Sequence, residues 1–275
     1  MNHLTRLAIE TSIVAGKAIM EVFTSNDFGL KIKSDDSPLT EADLRSHRII
    51  DEALQTTHIP ILSEEGEHLS YEERKDWDEL WIVDPLDGTK EFVKRSGEFT
   101  VNIALVKNQN PVMGVVFAPV LRCLYWGDES GAYKVELPEA WMDQDINLLM
   151  DTLDIQRMPN GLPDKMTVVA SVSHFSAETE QYLRALKQRE GEVELVSKGS
   201  SLKMCLVAEG SAHLYPRLGP TMEWDTAAGQ AVIEAAGGLL HDWNTKQAMK
   251  YNREQLLNGS FLAVAKSVDI VQYWL

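Results

Sequence analysis

Residues 81–90 read Trp-Ile-Val-Asp-Pro-Leu-Asp-Gly-Thr-Lys, and the rest of the chain is organised around them. The first three residues favour β-structure and form a short apolar run, which predicts a buried strand. Pro85 fixes its own φ angle and lacks an N–H group, so we expect the strand to end there in a tight polar bend. Asp84 and Asp87 both lie on that bend, where converging carboxylates are typical of a divalent-cation site. A solvated turn is the alternative interpretation.

The composition describes an ordinary soluble globule. The chain has 275 residues, of which 44% are hydrophobic and 25% are charged, enough for one large domain or two intimate ones. Its net charge of -16 disfavours a surface for nucleic acid or for an anionic membrane. An anionic substrate would need local cations to overcome this field, and a divalent metal in an acidic site would supply them.

The cysteines favour a reducing compartment, and the sequence shows neither a membrane span nor a signal peptide. No apolar run approaches the length of a membrane span, and the N-terminus lacks the basic start and apolar core of a signal peptide. Cys123 and Cys205 are far apart in apolar settings, which favours core thiols over a disulfide or a zinc site. We therefore expect a cytoplasmic protein. Its oligomeric state and its peripheral association with the cytoplasmic face of the inner membrane stay open.

The first half of the chain begins with two predicted helices. Residues 3–23 carry apolar side chains at helical spacing and predict an amphipathic helix. Thr40 and Asp43 resemble a capping box and predict the start of a second helix. Glu64 and Glu65 directly follow a short apolar strand. Paired glutamates are usually solvated, but a pair at the end of a strand is also a candidate for metal binding.

The remaining pattern is mixed α/β, with helices covering sheets. The predicted strands of the first half are residues 81–83, 99–106, 112–118, 121–126 and 131–135, with a turn at 107–111. The second half alternates strands at 166–171, 193–196, 212–215, 239–240 and 261–265 with helices at 177–188, 201–209 and 226–236. We place the boundary between an N-terminal half, residues 1–155, and a C-terminal half, residues 156–275, in the acidic, proline-containing stretch between them.

Asp225 precedes the predicted helix at 226–236, so we expect it to be the N-cap of that helix. A carboxylate at a helix start is held rigidly, which also suits a metal ligand. The residues alone therefore indicate an acidic α/β protein with Glu64, Asp84 and Asp87 as metal ligands and Asp225 as a further candidate. Hard oxygen ligands without a His/Cys cluster favour Mg²⁺ and phosphoryl-transfer chemistry.

Three segments carry a resemblance to a known family. Glu64-Glu65, Asp84-Pro-Leu-Asp87-Gly-Thr89 and Trp224-Asp225-Thr-Ala-Ala-Gly229 resemble the three signatures of the lithium-sensitive inositol monophosphatase superfamily. Residues 31–43, 84–106, 171–174 and 199–217 are similar to its 3′(2′),5′-bisphosphate nucleotidase branch. The likeness covers nearly the whole chain and departs only around residues 137–165, which contain none of the motifs.

The resemblance implies a layered αβαβα sandwich of the inositol monophosphatase and sugar phosphatase type, with the site between the halves. It also implies two Mg²⁺ ions. Glu64, Asp84 and the Leu86 carbonyl would hold one, and Asp84, Asp87 and Asp225 would hold the second. In two-metal hydrolysis, one ion activates water and the other stabilises the leaving oxygen.

The resemblance further implies a pair that activates water. The Thr89 hydroxyl oxygen would receive the proton side of the water, and Asp35 would hold the threonine. Asp35 is preferred to the adjacent Asp36 because it lies five residues before Thr40. Glu65 would support a third, weaker metal or the nucleophilic water.

Substrate contacts are implied on both sides of the metal site. The backbone N–H groups of Gly88 and Thr89 would cradle the reacting phosphate. His174 would flank the adenine; a lone histidine after a strand is otherwise an ordinary surface residue. The candidates for binding the phosphate that is not cleaved are Ser200, Ser201, Lys203 and Arg217. Helix capping and solvated charge are the alternative interpretations of these four residues.

The expected function is thus a Mg²⁺-dependent phosphatase that converts adenosine 3′,5′-bisphosphate to AMP, and also acts on its sulfated form, in sulfur assimilation. An inositol monophosphate or sugar bisphosphate phosphatase of the same superfamily is the alternative. A non-catalytic regulator that binds metal or nucleotide is a third hypothesis. It is disfavoured because all the expected ligands and the water-activating residues are present.

Overall fold

The computed structural model describes residues 1–25, 28–32, 38–67, 69–170 and 176–275. The side chain of Ile32 is not described. Within these ranges the α-helices are α1 His3–Thr24, α2 Glu41–Gln55, α3 Tyr71–Arg74, α4 Thr89–Val93, α5 Ile146–Asp151, α6 Ala177–Glu190, α7 Leu202–Glu209 and α8 Glu223–Ala235. Two short 3₁₀ helices span Trp141–Asp143 and Ile270–Tyr273.

Among the described residues, the strands form two large sheets and two small ones. The strands of the first half and its boundary are β1 Lys31–Ile32, β2 Pro38–Leu39, β3 Ile61–Ser63, β4 Glu79–Asp87, β5 Thr100–Lys107, β6 Asn110–Ala118, β7 Cys123–Asp128, β8 Gly131–Glu136 and β9 Gln156–Met158. Those that follow are β10 Met166–Ala170, β11 Val193–Ser197, β12 Leu214–Arg217, β13 Thr221–Met222, β14 Leu239–Asp242, β15 Leu257–Asn258 and β16 Phe261–Val264. One large sheet has the order β3-β4-β5-β6-β7-β8-β9 and the other β11-β10-β12-β16-β14, while β1-β2 and β13-β15 form two-stranded pairs.

The hydrophobic core is divided into three layers by these sheets. Helices α1 and α2 bury their apolar faces against one side of the seven-stranded sheet. Helices α7 and α8 lie between the two large sheets and share a core with both. Helix α6 and the C-terminal 3₁₀ helix pack on the outer face of the five-stranded sheet. The order is therefore αβαβα, which confirms the fold class predicted from the sequence.

Helix α8 approaches the seven-stranded sheet closely because two glycines face it. A Cβ atom at Gly114 of β6 would overlap the backbone of Ala228, and one at Gly127 of β7 would lie 2.8 Å from the Cα atom of Val232. This close packing holds the N-terminus of α8, with Asp225, near the end of β4.

The structure corrects three details of the sequence prediction. Strand β4 does not end at Pro85 but continues to Asp87, with a shift of register between Asp84 and Asp87. Pro85 is tolerated because a bulge does not require its missing N–H group. The turn between β5 and β6 contains only Asn108 and Gln109, both at positive φ, instead of the whole predicted segment.

The third correction concerns the start of α8. Asp225 is not the N-cap of this helix. The N-cap is Met222, and Asp225 is the third helical residue. Its carboxylate accepts a hydrogen bond from the backbone N–H of Met222 at 2.8 Å. The side chain therefore folds back towards the helix start, where it satisfies a free donor of the first turn.

The division at residue 155 stays a prediction. Strand β9, which follows that position directly, pairs with β8 as the edge of the seven-stranded sheet. Residues 136–155 contain the 3₁₀ helix Trp141–Asp143 and helix α5. Trp141 of the 3₁₀ helix and Leu149 of α5 are buried and belong to the core beneath α1.

Candidate active site

Two carboxylates of β4 meet a third, from a distant part of the chain, at the end of that strand. Oxygen atoms of Asp84, Asp87 and Asp225 all lie within 4.8 Å of one another. The bulge in β4 places the first two on the same side of the bend, and α8 supplies the third. Asp84 is only 1% exposed, so water screens its charge poorly. Asp87 and Asp225 are half-buried. Such a group of oxygen donors has the chemistry that Mg²⁺ requires.

The charges in this cluster oppose one another. Burial, and then the neighbouring Glu64, Asp87 and Asp225, raise the pKa of Asp84 well above its usual range. Burial and Asp87 likewise raise the pKa of Asp225 to about 8. Carboxylates placed so that they resist ionisation are stabilised by a bound cation. The residues present therefore fit a divalent metal ion.

Glu64 joins this cluster through the pairing of β3 with β4. The two strands are parallel and Ser63 is aligned with Val83, so Glu64, the first residue after β3, lies beside Asp84 of β4. The backbone N–H of Glu64 donates to the carbonyl of Val83 at 3.1 Å. The pairing thus explains how a residue predicted to be a ligand reaches the central bend.

Leu86 lies within the bulge, between the two aspartates of β4. Its side chain is buried, and its N–H donates to Asp84 Oδ1 at 3.0 Å. Its carbonyl oxygen accepts a longer hydrogen bond from the Thr89 hydroxyl, at 3.4 Å. That carbonyl, predicted to be a metal ligand, therefore faces Thr89, while the N–H group of the same residue is held by Asp84.

Asp43 is the described partner of Thr89, and the sequence interpretation missed it. The Thr89 hydroxyl donates to Asp43 Oδ1 at 3.1 Å. The other oxygen of Asp43 accepts from the Thr40 N–H and hydroxyl, at 2.8 and 2.5 Å. The capping box was correctly predicted, but it was interpreted only as a helix start. Asp35, the partner expected for Thr89, and its alternative Asp36 lie outside the described residues.

The carboxyl group of Asp43 is buried, which raises its pKa. The charge of Glu65 raises that pKa further, while hydrogen bonds from Thr40 and Thr89 lower it. Glu65 is thus an electrostatic neighbour of the Asp43–Thr89 pair.

A cavity of about 280 Å³ opens beside the carboxylates. Its lining includes nine predicted site residues: Glu64, Asp87, Gly88, Thr89, Ser200, Ser201, Lys203, Arg217 and Asp225. Gly88 adopts a φ of 92°, a left-handed conformation that favours glycine, and helix α4 begins directly after it. A left-handed residue followed by helical ones turns successive N–H groups to one side, which suits an anion.

Ser200 and Ser201 bind Asp87 in this structure. The hydroxyl groups of Ser200 and Ser201 lie 2.7 and 2.9 Å from Asp87 Oδ2. Ser200 has a positive φ of 54°, and the segment before it is held by Glu98, which accepts from the Gly199 N–H and forms an ion pair with Lys198. Both serines, predicted to contact substrate, thus connect the C-terminal half to a predicted metal ligand.

Two cationic side chains line the same cavity farther along. Lys203 is 7% exposed, and its ammonium group donates to the carbonyls of Lys198 and Ser200. Burial lowers the pKa of Lys203 to about 8; Asp87 opposes this change and Arg217 adds to it. Arg217 donates from Nη2 to the carbonyl of Pro220 at 3.0 Å, while its buried Nε has no hydrogen-bond partner among the described residues. His174, the predicted adenine contact, lies outside the described residues.

The sequence profile of the inositol monophosphatase family matches residues 1–270 of this chain. The chain belongs to that family. Enzymes of the inositol monophosphatase family depend on metal, and the acidic cluster of Asp84, Asp87 and Asp225 is the corresponding candidate site here.

Relatives with high identity extend over most of the chain. The 3′(2′),5′-bisphosphate nucleotidase CysQ of Salmonella typhimurium is 47% identical over 90% of this chain and 94% of its own length. CysQ of Escherichia coli K12 is 46% identical over the same shares of both chains. The crystal structure of CysQ from Bacteroides thetaiotaomicron superposes with a TM-score of 0.83 at 46% identity, covering 95% of this chain and 97% of that one.

More distant members of the family share the fold. The inositol monophosphatase of Thermotoga maritima has a TM-score of 0.69 at 22% identity. In the part of the chain that the structure describes, none of the helices combines the length and the apolar character needed to cross a membrane.

Proposed function

We propose that this protein is a Mg²⁺-dependent phosphatase that hydrolyses the 3′-phosphate of adenosine 3′,5′-bisphosphate to give AMP and phosphate. Its sulfated form is a second substrate, which places the enzyme in sulfur assimilation. The observation that carries the proposal is a cavity that is lined both by carboxylates and Thr89, whose hydroxyl donates to Asp43, and by the cations Lys203 and Arg217. Such a cavity suits a substrate with two anionic groups. The CysQ relatives, which are named for this activity, support the same substrate.

Two Mg²⁺ ions form part of the proposal. Glu64, Asp84 and the Leu86 carbonyl would hold one ion, and Asp84, Asp87 and Asp225 the other. When bound, Mg²⁺ neutralises phosphoryl oxygens and lowers the pKa of water. A third, weaker ion would involve Glu65, next to Asp43.

The Asp43–Thr89 pair would orient the attacking water. The Thr89 hydroxyl has one proton, and Asp43 accepts it at 3.1 Å. The lone pairs of Thr89 Oγ1 are then free to accept a hydrogen bond from water, so that the water oxygen faces the phosphorus atom. Asp43 is itself held by Thr40 through two hydrogen bonds, and this fixes the orientation of the Asp43 carboxylate towards Thr89.

Lys203 and Arg217 would bind the 5′-phosphate, which does not react. A phosphate dianion favours the charged form of Lys203, whose pKa burial lowers to about 8. Binding energy from this remote group orients the reacting end of the substrate. His174 remains the proposed adenine contact, and we place the enzyme in the cytoplasm.

The experiment is a phosphate-release assay with a panel of substrates at a fixed Mg²⁺ concentration. We expect kcat/KM to be highest for adenosine 3′,5′-bisphosphate and its sulfated form, and much lower for adenosine 3′-phosphate, which lacks the 5′-phosphate. Inositol 1-phosphate and fructose 1,6-bisphosphate test the alternative functions within the family. Equal or faster hydrolysis of either one would refute the nucleotide assignment, and no hydrolysis of any compound would favour a non-catalytic regulator.

A further inference from the structure

Asp87 accepts several hydrogen bonds on one carboxylate oxygen. Its Oδ2 receives the hydroxyl groups of Ser200 and Ser201, at 2.7 and 2.9 Å, and the amide group of Asn102 at 3.4 Å. The serines come from the loop before α7, whereas Asn102 comes from β5, which is paired with β4 in the seven-stranded sheet. Three donors from two separate parts of the chain therefore fix the orientation of one candidate metal ligand.

Asn102 is buried together with Thr100, which lies on the same face of β5. The exposed fractions of Asn102 and Thr100 are 1% and 0%. The Thr100 hydroxyl donates to Asn102 Oδ1 at 3.0 Å, and Asn102 Nδ2 donates to Ser201 Oγ at 2.9 Å. Thr100 Oγ1 also lies 2.7 Å from Ser200 Oγ, where either hydroxyl could donate. Each hydroxyl has a single proton, so this contact completes a ring of side chains around Asp87 only by exchanging with one of the other two bonds.

This ring determines which way the amide of Asn102 faces. With the opposite orientation, Asn102 Oδ1 would lie against Asp87 Oδ2, and two acceptors would repel each other. With the observed orientation, the N–H group of Asn102 Nδ2 donates to a lone pair of Ser201 Oγ. The single proton of Ser201 then points away from Asn102, towards Asp87 Oδ2 or the Asp225 carbonyl, both at 2.9 Å. An ionised carboxylate is the stronger acceptor of the two.

We propose that Asn102 is a positioning residue that directs the Ser201 hydroxyl onto Asp87 and thereby joins the 198–203 segment to the metal site. Lys203 donates to the Ser200 carbonyl at 2.6 Å, so the same segment connects Lys203, the proposed contact of the second phosphate, to Asp87. The inference rests on the proposed role of Asp87 as a metal ligand. Neighbours that orient a ligand in this way commonly change metal affinity by roughly 10- to 100-fold when they are removed.

The test is a titration of the purified, metal-free protein with Mg²⁺, in which the midpoint of thermal unfolding is measured at each Mg²⁺ concentration. We expect Asn102→Leu and Ser201→Ala each to raise the Mg²⁺ concentration that gives half of the maximal midpoint shift by roughly tenfold. Asn102 lies closer to Ser201 Oγ, at 2.9 Å, than to Asp87 Oδ2, at 3.4 Å, so it acts mainly through Ser201. The double variant should therefore exceed the larger single effect by less than about threefold. Independent effects would instead multiply to roughly 100-fold, and that result would overturn the inference.

Two further variants separate positioning from general stability. Asn252→Leu removes a side chain that is equally buried, at 3% exposure, but lies against Arg74 instead of the carboxylates. It should lower the metal-free midpoint without changing the Mg²⁺ requirement. Thr100→Val keeps the shape of the side chain but removes the hydroxyl that holds the Asn102 amide, and should raise the Mg²⁺ requirement less than Asn102→Leu does.

The titration contains no phosphate ester, so its outcome is distinguishable from that of the substrate assay. If Asn102→Leu and Thr100→Val only lowered the metal-free midpoint, Asn102 would be a structural residue and the inference would be wrong. A wild-type protein whose midpoint did not respond to Mg²⁺ would overturn both the inference and the proposed metal site. Failure to hydrolyse nucleotides, with the Mg²⁺ effects as expected, would contradict the proposed function alone.

Discussion

Replacing Asp225 by asparagine should make the metal-free protein more stable and the Mg²⁺-bound protein less stable. The substitution keeps the shape of the side chain, and the amide oxygen can still accept the Met222 N–H bond that Asp225 accepts at 2.8 Å. It removes one of the three carboxylates whose oxygens lie within 4.8 Å of one another. The repulsion that disappears is the same one that a bound cation relieves.

The pH dependence of this effect follows from the raised pKa of Asp225. The pKa is about 8 in the folded protein and about 3.9 in an unfolded chain, so the folded state holds the proton more tightly. The stability associated with the neutral form is present below about pH 4 and is lost as the pH rises to about 8. Four pKa units correspond to about 5 kcal/mol as an upper limit.

We expect a smaller value than this limit, because Asp225 is partly exposed and Asp84 and Asp87 share the repulsion. A gain of about 1–3 kcal/mol at pH 8 would raise the midpoint of thermal unfolding by roughly 2–6 °C for a chain of this size. The gain should be smaller at pH 5, where the folded wild-type protein still keeps the proton of Asp225.

The assay is thermal unfolding of the wild type and Asp225→Asn at pH 5 and pH 8, with a chelator and with saturating Mg²⁺. Asp145→Asn is the control, because Asp145 also accepts backbone N–H groups at a helix start, but lies at the exposed N-cap of α5. It should show neither a pH-dependent gain nor a loss of the Mg²⁺ effect. A lower midpoint for metal-free Asp225→Asn at pH 8 would refute the reasoning, as would an equal gain at both pH values.

Three other substitutions test separate parts of the site. Asp84→Asn should nearly abolish turnover while circular dichroism shows an intact fold, and near-normal activity at saturating Mg²⁺ would remove Asp84 from the ligand set. Thr89→Val should lower kcat by roughly 10²- to 10⁴-fold with little change in KM, and combining it with Asp43→Asn should add little, since the two act as a unit; multiplied effects would contradict the proposed pair. Arg217→Ala should lower kcat/KM for adenosine 3′,5′-bisphosphate by roughly 30- to 1000-fold and for inositol 1-phosphate far less, whereas equal losses would assign Arg217 to the fold or the metal site.

The mixed α/β character and the members of the acidic cluster were predictable from local patterns in the sequence, whereas the layered αβαβα order was implied by the resemblance to the inositol monophosphatase superfamily. Alternating strand and helix patterns indicated helices covering sheets, and the short spacing between Asp84 and Asp87 indicated a shared bend. The details that differed depend on tertiary contacts. Whether Pro85 ends β4 or lies in a bulge depends on how β5 pairs with it, and this cannot be deduced from the proline itself.

The partners of the polar side chains were harder to predict than the cluster. Asp43 was recognised as a capping residue, but its second oxygen faces Thr89, which is distant in sequence and reaches it only through packing of α2 beside β4. Asn102 carried no signal, because a lone asparagine in an apolar strand has no characteristic spacing. Ser200 and Ser201 were interpreted from their neighbours in sequence, whereas their described contact is with Asp87 in the other half.

The central claim is that this site removes the 3′-phosphate of a nucleotide and leaves the 5′-phosphate bound at the cationic side of the cavity. Phosphorus NMR of adenosine 3′,5′-bisphosphate during incubation with the Mg²⁺-loaded enzyme tests it most directly. We expect the 3′-phosphate signal to be replaced by inorganic phosphate while the 5′-phosphate signal persists as AMP. Formation of adenosine 3′-phosphate, or a spectrum that does not change while another phosphate ester is hydrolysed, would contradict the account.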